Sequence, residues 1–326
     1  MAKPRLLKAF LSRHNKETKM NFEYKNRVFA LGFFDGMHIG HSALIWRVLD
    51  IADETGLTPS VITFDAHPRS MLNNDFIPLI NSPEDRAGLI HRVFEIDDII
   101  FLHFDKATSK MPWDEFVDHL YDEFGARHLV AGFNFRFGKG GVGNRDLLKG
   151  KCAQLGIGCD IIPEVCLDGV TSSSTLIREL LLKGDMEQAN AFLGHPHVLT
   201  DVVHYGYRLG RTLGTPTINM CFAPGVLIPA HGVYATKVYL DNGSSYIGVT
   251  NIGIRPTVDN SSIDHVTAET HILDYRGNLY GKQVRIEFYS RIRPEQKFSD
   301  INQLKQQIIN DAGSAREYFS KKGLHS

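Results

Sequence analysis

The chain has 326 residues, of which 43% are apolar and 22% are charged, and its formal net charge is −1. This length accommodates two domains of ordinary size, and the near-neutral charge argues against a dedicated nucleic-acid binder. No run of residues approaches the ~20 apolar positions that span a bilayer, and no secretory apolar segment is present. We therefore expect neither a nucleic acid nor a membrane among its partners.

Four cysteines are scattered without the paired spacing of a zinc site or a disulfide framework. They are Cys152, Cys159, Cys166 and Cys221. Free thiols are typical of a reducing compartment, so the sequence predicts a cytoplasmic protein.

The first 27 residues carry eight Lys or Arg against two Glu. A targeting peptide and a nucleic-acid arm are alternatives for this basic segment, but its apolar runs are too short for a signal peptide. We interpret residues 1–27 as a basic N-terminal extension.

The most informative segment is GFFDGMHIGH, residues 32–41, which follows an apolar run typical of a buried strand. Residues 42–52 show helical spacing of apolar side chains, and Gly56 offers a stop. His38 and His41 therefore lie at a helix N-terminus, on one side. Backbone N–H groups and the helix dipole favour anions there.

Two alternatives exist for this histidine pair: solvated helix-cap side chains, or half of a zinc site. The zinc site lacks cysteine partners at a suitable spacing. Glycines at positions 32, 36 and 40 favour a tight turn that approaches a ligand. We interpret the segment as a nucleotide phosphate site in which Asp35 braces the turn.

From residue 28 to about Gly184, apolar strands alternate with helical patterns, which predicts a parallel sheet covered on both faces. The predicted strands are 28–31, 60–64, 98–104, 128–133 and 159–162, and the predicted helices between them are 84–95, 114–124 and 145–155. Ligands of such sheets bind beyond the carboxyl ends of the strands. The segment 32–41 falls at such an end.

After a short helix at 186–193 the pattern becomes β-rich, with strands predicted at 232–240, 245–252, 265–273 and 284–292. Strands without intervening helices predict an antiparallel sandwich or small barrel. A last helix, near 300–319, is expected to bury Ile301, Leu304, Ile308 and Ile309.

Two further segments of the first half are candidates for phosphate contacts. GFNFRFGKGGVG, residues 132–143, is a basic, glycine-rich loop that fails the P-loop spacing; a flexible surface turn is its alternative. TSSSTLIREL, residues 171–180, offers hydroxyls and Arg178 as a phosphate clamp. Helix capping by Ser174 or Thr175 is the alternative there.

The second half contains GYRLGRTLGTPTIN, residues 206–219, in which glycines and arginines suggest another phosphate-facing loop. Its alternative is a glycine-rich β-turn. Thr217 and Asn219 then offer two oxygen ligands on one side of an extended segment, suited to Mg²⁺ and a nucleotide. Glu269 stands on a predicted strand, either as a solvated side chain or as a general base.

In this order, the segments of the first half resemble the nucleotidylyltransferase superfamily, and more narrowly the FAD synthetase module of bacterial bifunctional riboflavin kinase/FAD synthetases. The resemblance rests on GFFDGMHIGH, TFDAHP at 63–68, NFRFGKG at 134–140 and SSTLIR at 173–178. The segments of the second half resemble the riboflavin kinase module of the same family. Phe33 replaces a usual Asn, Thr215 a usual Phe and Ile218 a usual Ala.

The resemblance implies the fold and the domains: an α/β nucleotidylyltransferase domain with a Rossmann-like parallel sheet at 28–185, then an antiparallel β-barrel riboflavin kinase domain with a C-terminal helix at 186–326. It also implies Mg²⁺ as cofactor, and riboflavin, FMN and the co-substrate ATP as partners. Riboflavin and ATP would give FMN, and FMN with a second ATP would give FAD and pyrophosphate.

The resemblance also assigns roles to residues. His38 and His41 would contact the transferring phosphate, Asn134 would hold substrate, and Glu269 would deprotonate the ribityl 5′-hydroxyl. Thr217 and Asn219 would hold Mg²⁺–ATP. The remaining candidates for ATP and phosphate binding are Gly32, Phe34, Gly36, Gly40, Ser174, Thr175, Arg178, Gly206, Arg208, Gly210, Arg211 and Gly214.

Three other functions remain open at this stage. They are a kinase whose first domain does not adenylylate, an adenylyltransferase for another phosphorylated substrate, and a non-enzymatic flavin sensor. The intact histidines argue against the first, the kinase-like half against the second, and retained Glu269 and Thr217 against the third.

Overall fold

The computed structural model of the protein describes residues 25–65, 76–105, 108–205, 215–255 and 265–324. Its contacts divide the chain into two compact units. The first comprises Met1–Leu79 and Arg86–Ser173, and the second comprises Ile80–Asp85 and Ser174–Ser326. Most of the expected basic extension, residues 1–24, lies outside the described residues.

A five-stranded parallel sheet forms the centre of the first unit. Its strands are β1 (Arg27–Leu31), β2 (Thr58–Phe64), β3 (Asp98–Leu102), β4 (Ala126–Gly132) and β5 (Gly158–Ile162). They are arranged in the order β3-β2-β1-β4-β5, and every pairing is parallel. The predicted parallel sheet is therefore confirmed, with strand ends shifted by one or two residues.

Within the described residues, four α-helices accompany this sheet: α1 (Ile39–Thr55), α2 (Pro83–Phe94), α3 (Trp113–Asp122) and α4 (Arg145–Leu155). Helix α1 buries Leu44, Ile45 and Val48 along one face and ends at Gly56, which adopts the left-handed conformation at φ 72°. Apolar periodicity and a C-terminal glycine thus define this helix, as predicted. A two-residue hairpin, β6 (Cys166–Leu167) and β7 (Val170–Thr171), was not predicted.

The second unit contains a six-stranded antiparallel sheet. Its strands are β8 (His197–Val202), β9 (Thr217–Cys221), β10 (Gly232–Leu240), β11 (Ser245–Arg255), β12 (His265–Ile272) and β13 (Gln283–Arg293). The order is β8-β13-β10-β11-β12-β9. An isolated bridge joins His204, just beyond β8, to Asn219 on the opposite edge strand β9. The bridge joins the two edge strands at this end of the sheet, as in the expected small barrel. The sequence pattern missed β8 and described the stretch of β9 only as an extended segment.

In the part of the second unit that the structure describes there are three α-helices: α5 (Ser174–Lys183), α6 (Met186–Leu193) and α7 (Ile301–Lys321). The packed face of α7 consists of Ala312, Ala315 and Phe319, which join Val233, Ala235 and Val249 of the barrel in one core cluster. Among the described helices, none is long and apolar enough to cross a membrane.

The prediction for α7 was partly wrong. Ile301 and Ile309 are 55% and 53% exposed, whereas Leu304 and Ile308 are half-buried and line a cavity. The N-terminal half of α7 borders this cavity and not the core, so only one edge of its apolar face is covered.

Candidate active sites

The segment 32–41 forms a tight turn between β1 and α1. Phe34, Gly36 and Met37 adopt positive φ angles of 55°, 82° and 46°. For residues with a side chain this conformation costs about 1–2 kcal/mol each. The side chains of Phe34 and Met37 are 0% and 1% exposed, so core packing stabilises the strained backbone.

The two histidines meet at the start of α1. His38 is the N-cap residue, and its Nδ1 accepts the backbone N–H of His41 at 3.3 Å. The two rings stack with centroids 3.6 Å apart, and the Phe34 ring meets His41 edge-on at 5.2 Å. This arrangement confirms that His38 and His41 lie together at a helix N-terminus.

Two of the glycines make room for these rings. A Cβ at Gly40 would lie 3.0 Å from the His38 ring, and a Cβ at Gly32 would lie 3.0 Å from the Phe34 ring. Both contacts are tighter than ordinary van der Waals packing. The glycines of this motif therefore serve the packing of the histidine pair as well as the turn.

The electrostatics keep His41 neutral. Burial lowers its pKa well below the ordinary value of 6.5, and the nearby charges of His38 and Arg86 lower it further. Its Nδ1 is buried and has no hydrogen-bond partner among the described residues. A neutral imidazole with an unused ring nitrogen is able to hydrogen-bond a phosphate oxygen.

Arg86 is a site residue that the sequence analysis missed. Its side chain is fully buried, Nη1 donates to Thr63 Oγ1 at 2.9 Å and to the Phe64 carbonyl at 2.8 Å, and the guanidinium lies 4.7 Å from the Phe33 ring centroid. The available signal was its position one turn before Leu89 and Ile90, on the buried face of α2. A cation on that stripe is unusual.

The topology explains why this turn faces a ligand site. Strands β1 and β4 are neighbours, but the chain proceeds from β1 to β2 on one side and from β4 to β5 on the other. This reversal is the switch point at which open parallel sheets bind ligands. The turn 32–41 follows β1, and the glycine-rich segment 132–143 follows β4.

The glycine-rich segment is a closed turn. Phe137 and Gly143 exchange two backbone hydrogen bonds of 3.2 and 2.9 Å, and Gly138, Gly140 and Gly141 adopt positive φ angles. These bonds argue against a purely flexible loop. Asn134 is exposed at the start of the segment.

The proposed phosphate clamp lies on α5. Ser174 is the first residue of this helix, and Thr175 and Arg178 follow within its first two turns. Ser174 and Arg178 are half-buried, and Thr175 is exposed. Because the helix begins at Ser174, its N-cap position is Ser173, and neither Ser174 nor Thr175 is the capping residue.

In the second unit, strand register assembles a polar row. Glu269 on β12 pairs directly with Asn251 on β11 and with Asn219 on β9. Residues directly opposite in an antiparallel pair point to the same face. Thr217, two residues before Asn219, points to that face as well and pairs with His271.

Two cavities of the barrel unit meet at Thr217. One, of about 220 Å³, is lined by Glu269, by the apolar side chains of Val249, Phe298 and Ile308, and by further polar and charged side chains. The other, of about 500 Å³, is lined by Asn219 and by Tyr205 and Tyr280. Those two tyrosine rings stack 4.3 Å apart.

The donors at this junction fit a magnesium ion. Asn219 is 5% exposed, and its Oδ1 has no hydrogen-bond partner among the described residues. An unpaired buried amide oxygen is costly, and Mg²⁺ prefers oxygen ligands. The other phosphate-loop candidates, Gly206, Arg208, Gly210, Arg211 and Gly214, lie outside the described residues.

A parallel sheet with a histidine-bearing turn at its switch point, followed by a barrel in which a carboxylate and a buried amide line two adjacent cavities, is typical of a nucleotide-dependent transferase with two modules. The FAD synthetase family model matches residues 21–176, and the riboflavin kinase family model matches residues 193–319.

Curated relatives carry both modules in one chain. The chain is 36% identical to the bifunctional riboflavin kinase/FMN adenylyltransferase of Bacillus subtilis, over 91% of this chain and 94% of that protein. It is 32% identical to the protein of the same name from Escherichia coli K12, over 90% and 92% of the two chains. The chain belongs to the bifunctional riboflavin kinase/FMN adenylyltransferase family.

A crystal structure titled macrolide-efflux protein from Streptococcus pneumoniae is similar in fold. Its TM-score is 0.79 at 28% sequence identity, and the match covers 90% of this chain and 95% of that chain. The match extends over both modules, so the two-module architecture is shared along nearly the full length.

Proposed function

We propose that this chain makes FAD in two steps: it phosphorylates riboflavin with ATP, and it then adenylylates FMN with a second ATP, releasing pyrophosphate. We assign the basic extension to residues 1–27, the FAD synthetase domain to residues 28–185 and the riboflavin kinase domain to residues 186–326. The scattered cysteines support a cytoplasmic location, and the substrates riboflavin, FMN and ATP follow from the family.

The observation that carries the kinase step is the position of Glu269. Glu269 lines the same cavity as Val249, Phe298 and Ile308, whose apolar side chains suit the flat rings of a flavin. It also pairs across the sheet with Asn219, which lines the second cavity. This position supports Glu269 as the general base that takes the proton from the ribityl 5′-hydroxyl, while that oxygen attacks the γ-phosphorus of ATP and ADP leaves.

Thr217 and Asn219 would hold Mg²⁺ with the ATP phosphates. Bound Mg²⁺ supplies charge neutralisation on the phosphoryl group in transfer. Thr217 lines both cavities and would orient the two substrates toward each other. The stacked Tyr205 and Tyr280 offer a flat aromatic surface in the second cavity, suited to the adenine ring.

For the second step, an oxygen of the FMN phosphate attacks the α-phosphorus of ATP in line, and pyrophosphate leaves. No covalent enzyme intermediate is required, so positioning and charge stabilisation carry the rate. The first-turn N–H groups of α1 and the ring nitrogens of His38 and His41 would contact the transferring phosphate. Buried Arg86 adds positive potential at the same place.

The remaining roles rest on sequence motifs. Gly32, Phe34, Gly36 and Gly40 would shape the ATP site, and Asn134 would hold substrate. Ser174, Thr175 and Arg178 would hold the pyrophosphate. Gly206, Arg208, Gly210, Arg211 and Gly214 would contact the ATP phosphates of the kinase step.

The experiment compares two variants of the full chain, each serving as the control for the other. Purified protein is incubated with Mg²⁺, ATP and either riboflavin or FMN, and the flavins are separated. Glu269→Gln should lose FMN formation by roughly 10²–10⁴-fold and still convert supplied FMN to FAD. The double variant His38→Ala, His41→Ala should still form FMN but no FAD.

Loss of both activities in either folded variant would contradict the assignment of two separate sites. Wild-type protein that forms FMN without FAD would instead indicate a kinase alone, and a protein that forms no product would indicate a flavin sensor.

A further inference from the structure

Three metal-binding side chains converge at the end of the barrel where β8 and β9 meet. Asp201 lies on β8, His204 just beyond it, and Cys221 is the last residue of β9. A carboxylate oxygen, an imidazole nitrogen and the thiol sulfur of these residues all lie within 4.8 Å of one another. Among the described residues this is the one such group, and the kinase chemistry uses none of its members.

We propose that Asp201, His204 and Cys221 form a Zn²⁺ site that is separate from the Mg²⁺ position and acts on the kinase step. The set of one thiolate, one imidazole and one carboxylate is typical of zinc and unsuited to Mg²⁺, which takes oxygen ligands. Three protein ligands leave one tetrahedral position open for water.

The geometry needs little adjustment to hold the ion. His204 Nε2 is already 3.0 Å from Asp201 Oδ2, and the same oxygen accepts the Cys221 backbone N–H at 2.7 Å. Tetrahedral zinc ligands at bond lengths of about 2.0–2.3 Å lie roughly 3.5 Å apart, so small side-chain rotations suffice. The His204 side chain is 51% exposed, and Cys221 is exposed, so the ion has access from solvent.

The site is linked to the kinase centre through one strand. Thr217, Asn219 and Cys221 are alternate residues of β9 and share one face. The His204 backbone N–H donates to the Asn219 carbonyl at 2.9 Å. An ion that binds His204 and Cys221 therefore holds both neighbours of Asn219, and we infer that Zn²⁺ weakens the binding of Mg²⁺–ATP in the kinase step.

The test of the site uses Co²⁺ as a spectroscopic probe on the full chain, with Mg²⁺ in excess. The cysteines are kept reduced by a reductant that is not a thiol, because an added thiol would itself bind Co²⁺. A thiolate-to-Co²⁺ charge-transfer band should develop at one equivalent and disappear when Zn²⁺ is added. Cys221→Ser should abolish the band, and Asp201→Asn, which keeps an oxygen acceptor for the Cys221 N–H, should weaken Co²⁺ binding. Cys166→Ser is the matched control, because Cys166 is the other exposed cysteine, and should keep the band.

A band that survives in Cys221→Ser, or that is lost in Cys166→Ser, overturns the site. Co²⁺ binding alone decides whether the metal site exists, so this test does not depend on the kinase activity of the chain. The link to the kinase is tested separately: Zn²⁺ should raise the KM for ATP in FMN formation about fivefold or more in the wild type, and not in Cys221→Ser. Equal effects of Zn²⁺ on both proteins overturn the link.

Discussion

The turn 32–41 and the row Asn219, Glu269, Asn251 are the two regions that we propose to contact phosphate groups, and they are built in different ways. The turn is one continuous segment that leads directly into a helix N-terminus. Burial of the Phe34 and Met37 side chains stabilises its strained backbone. The row collects single side chains from three strands, and pairing alone aligns them. A contiguous site tolerates few backbone changes, whereas a register-built site depends on individual side chains. Substitutions should therefore act through conformational strain in the first region and through lost ligand contacts in the second.

The largest expected effect after Glu269→Gln comes from Asn219→Ala. Loss of an oxygen that contacts a charged group costs about 1.5–3 kcal/mol, so we expect the KM for Mg²⁺–ATP in FMN formation to rise roughly 10–100-fold. The free energy of unfolding should not fall by a comparable amount, because Asn219 Oδ1 has no partner among the described residues. Steady-state kinetics and thermal unfolding measure the two quantities. A large loss of stability with an unchanged KM would make Asn219 a structural residue.

Gly36→Ala tests the strained turn. An alanine at φ 82° should lower the stability of the first unit by about 1–2 kcal/mol and slow FAD formation, while FMN formation stays unchanged. Both tryptophans, Trp46 and Trp113, belong to that unit, so their fluorescence reports its unfolding.

Gly150→Ala is the matched control for this substitution. Gly150 lies inside α4 with open space around it, and alanine there should stabilise the unit by up to about 1 kcal/mol. If both substitutions have the same effect, strain does not hold the turn.

The lowered pKa of His41 makes the stability of the first unit dependent on pH. Its pKa is lowered in the folded state, so below about pH 6.5 the unfolded chain binds the proton more readily. Stability should be complete above that pH and fall as the pH decreases, by at most about 1.4 kcal/mol per pH unit from this group. Denaturant unfolding followed by tryptophan fluorescence at several pH values measures the slope. His41→Gln should flatten it, and an unchanged slope would exclude His41 as the source.

The smallest expected effects distinguish two adjacent isoleucines of α7. Ile308 lines the cavity assigned to the flavin, whereas Ile309 is 53% exposed. Ile308→Ala should raise the KM for riboflavin several-fold, and Ile309→Ala should change neither KM nor stability by more than about 0.5 kcal/mol. If Ile309→Ala raises the KM for riboflavin and Ile308→Ala does not, the cavity that Ile308 lines is not the flavin site.

Much of the first unit could be predicted from the sequence, because its determinants are local. Period-3.6 and strand-like apolar runs, a glycine stop after α1, and two histidines three residues apart are all visible in short windows of the sequence. The predicted α4 and α6 agree with the observed bounds residue for residue. In the second unit, strands β10 to β13 were predicted from the pattern, and the stretch of β9 was described only as an extended segment. Strand β8 was missed, because its residues HVLTDV do not alternate cleanly.

The sequence by itself determined the two-module architecture, the family and the turn that brings a histidine pair to a helix N-terminus. Only the tertiary structure decided that His41 is neutral, that Arg86 lies beside it, and that Asn219, Glu269 and Asn251 form one row. It also decided that Asp201, His204 and Cys221 converge where the barrel closes, and that Ile301 and Ile309 of α7 face solvent. The physical reason is the range of the interactions: turns and helices follow from neighbours within a few residues. Burial, pKa and cross-strand neighbours depend on residues far away in the chain, which folding alone brings together.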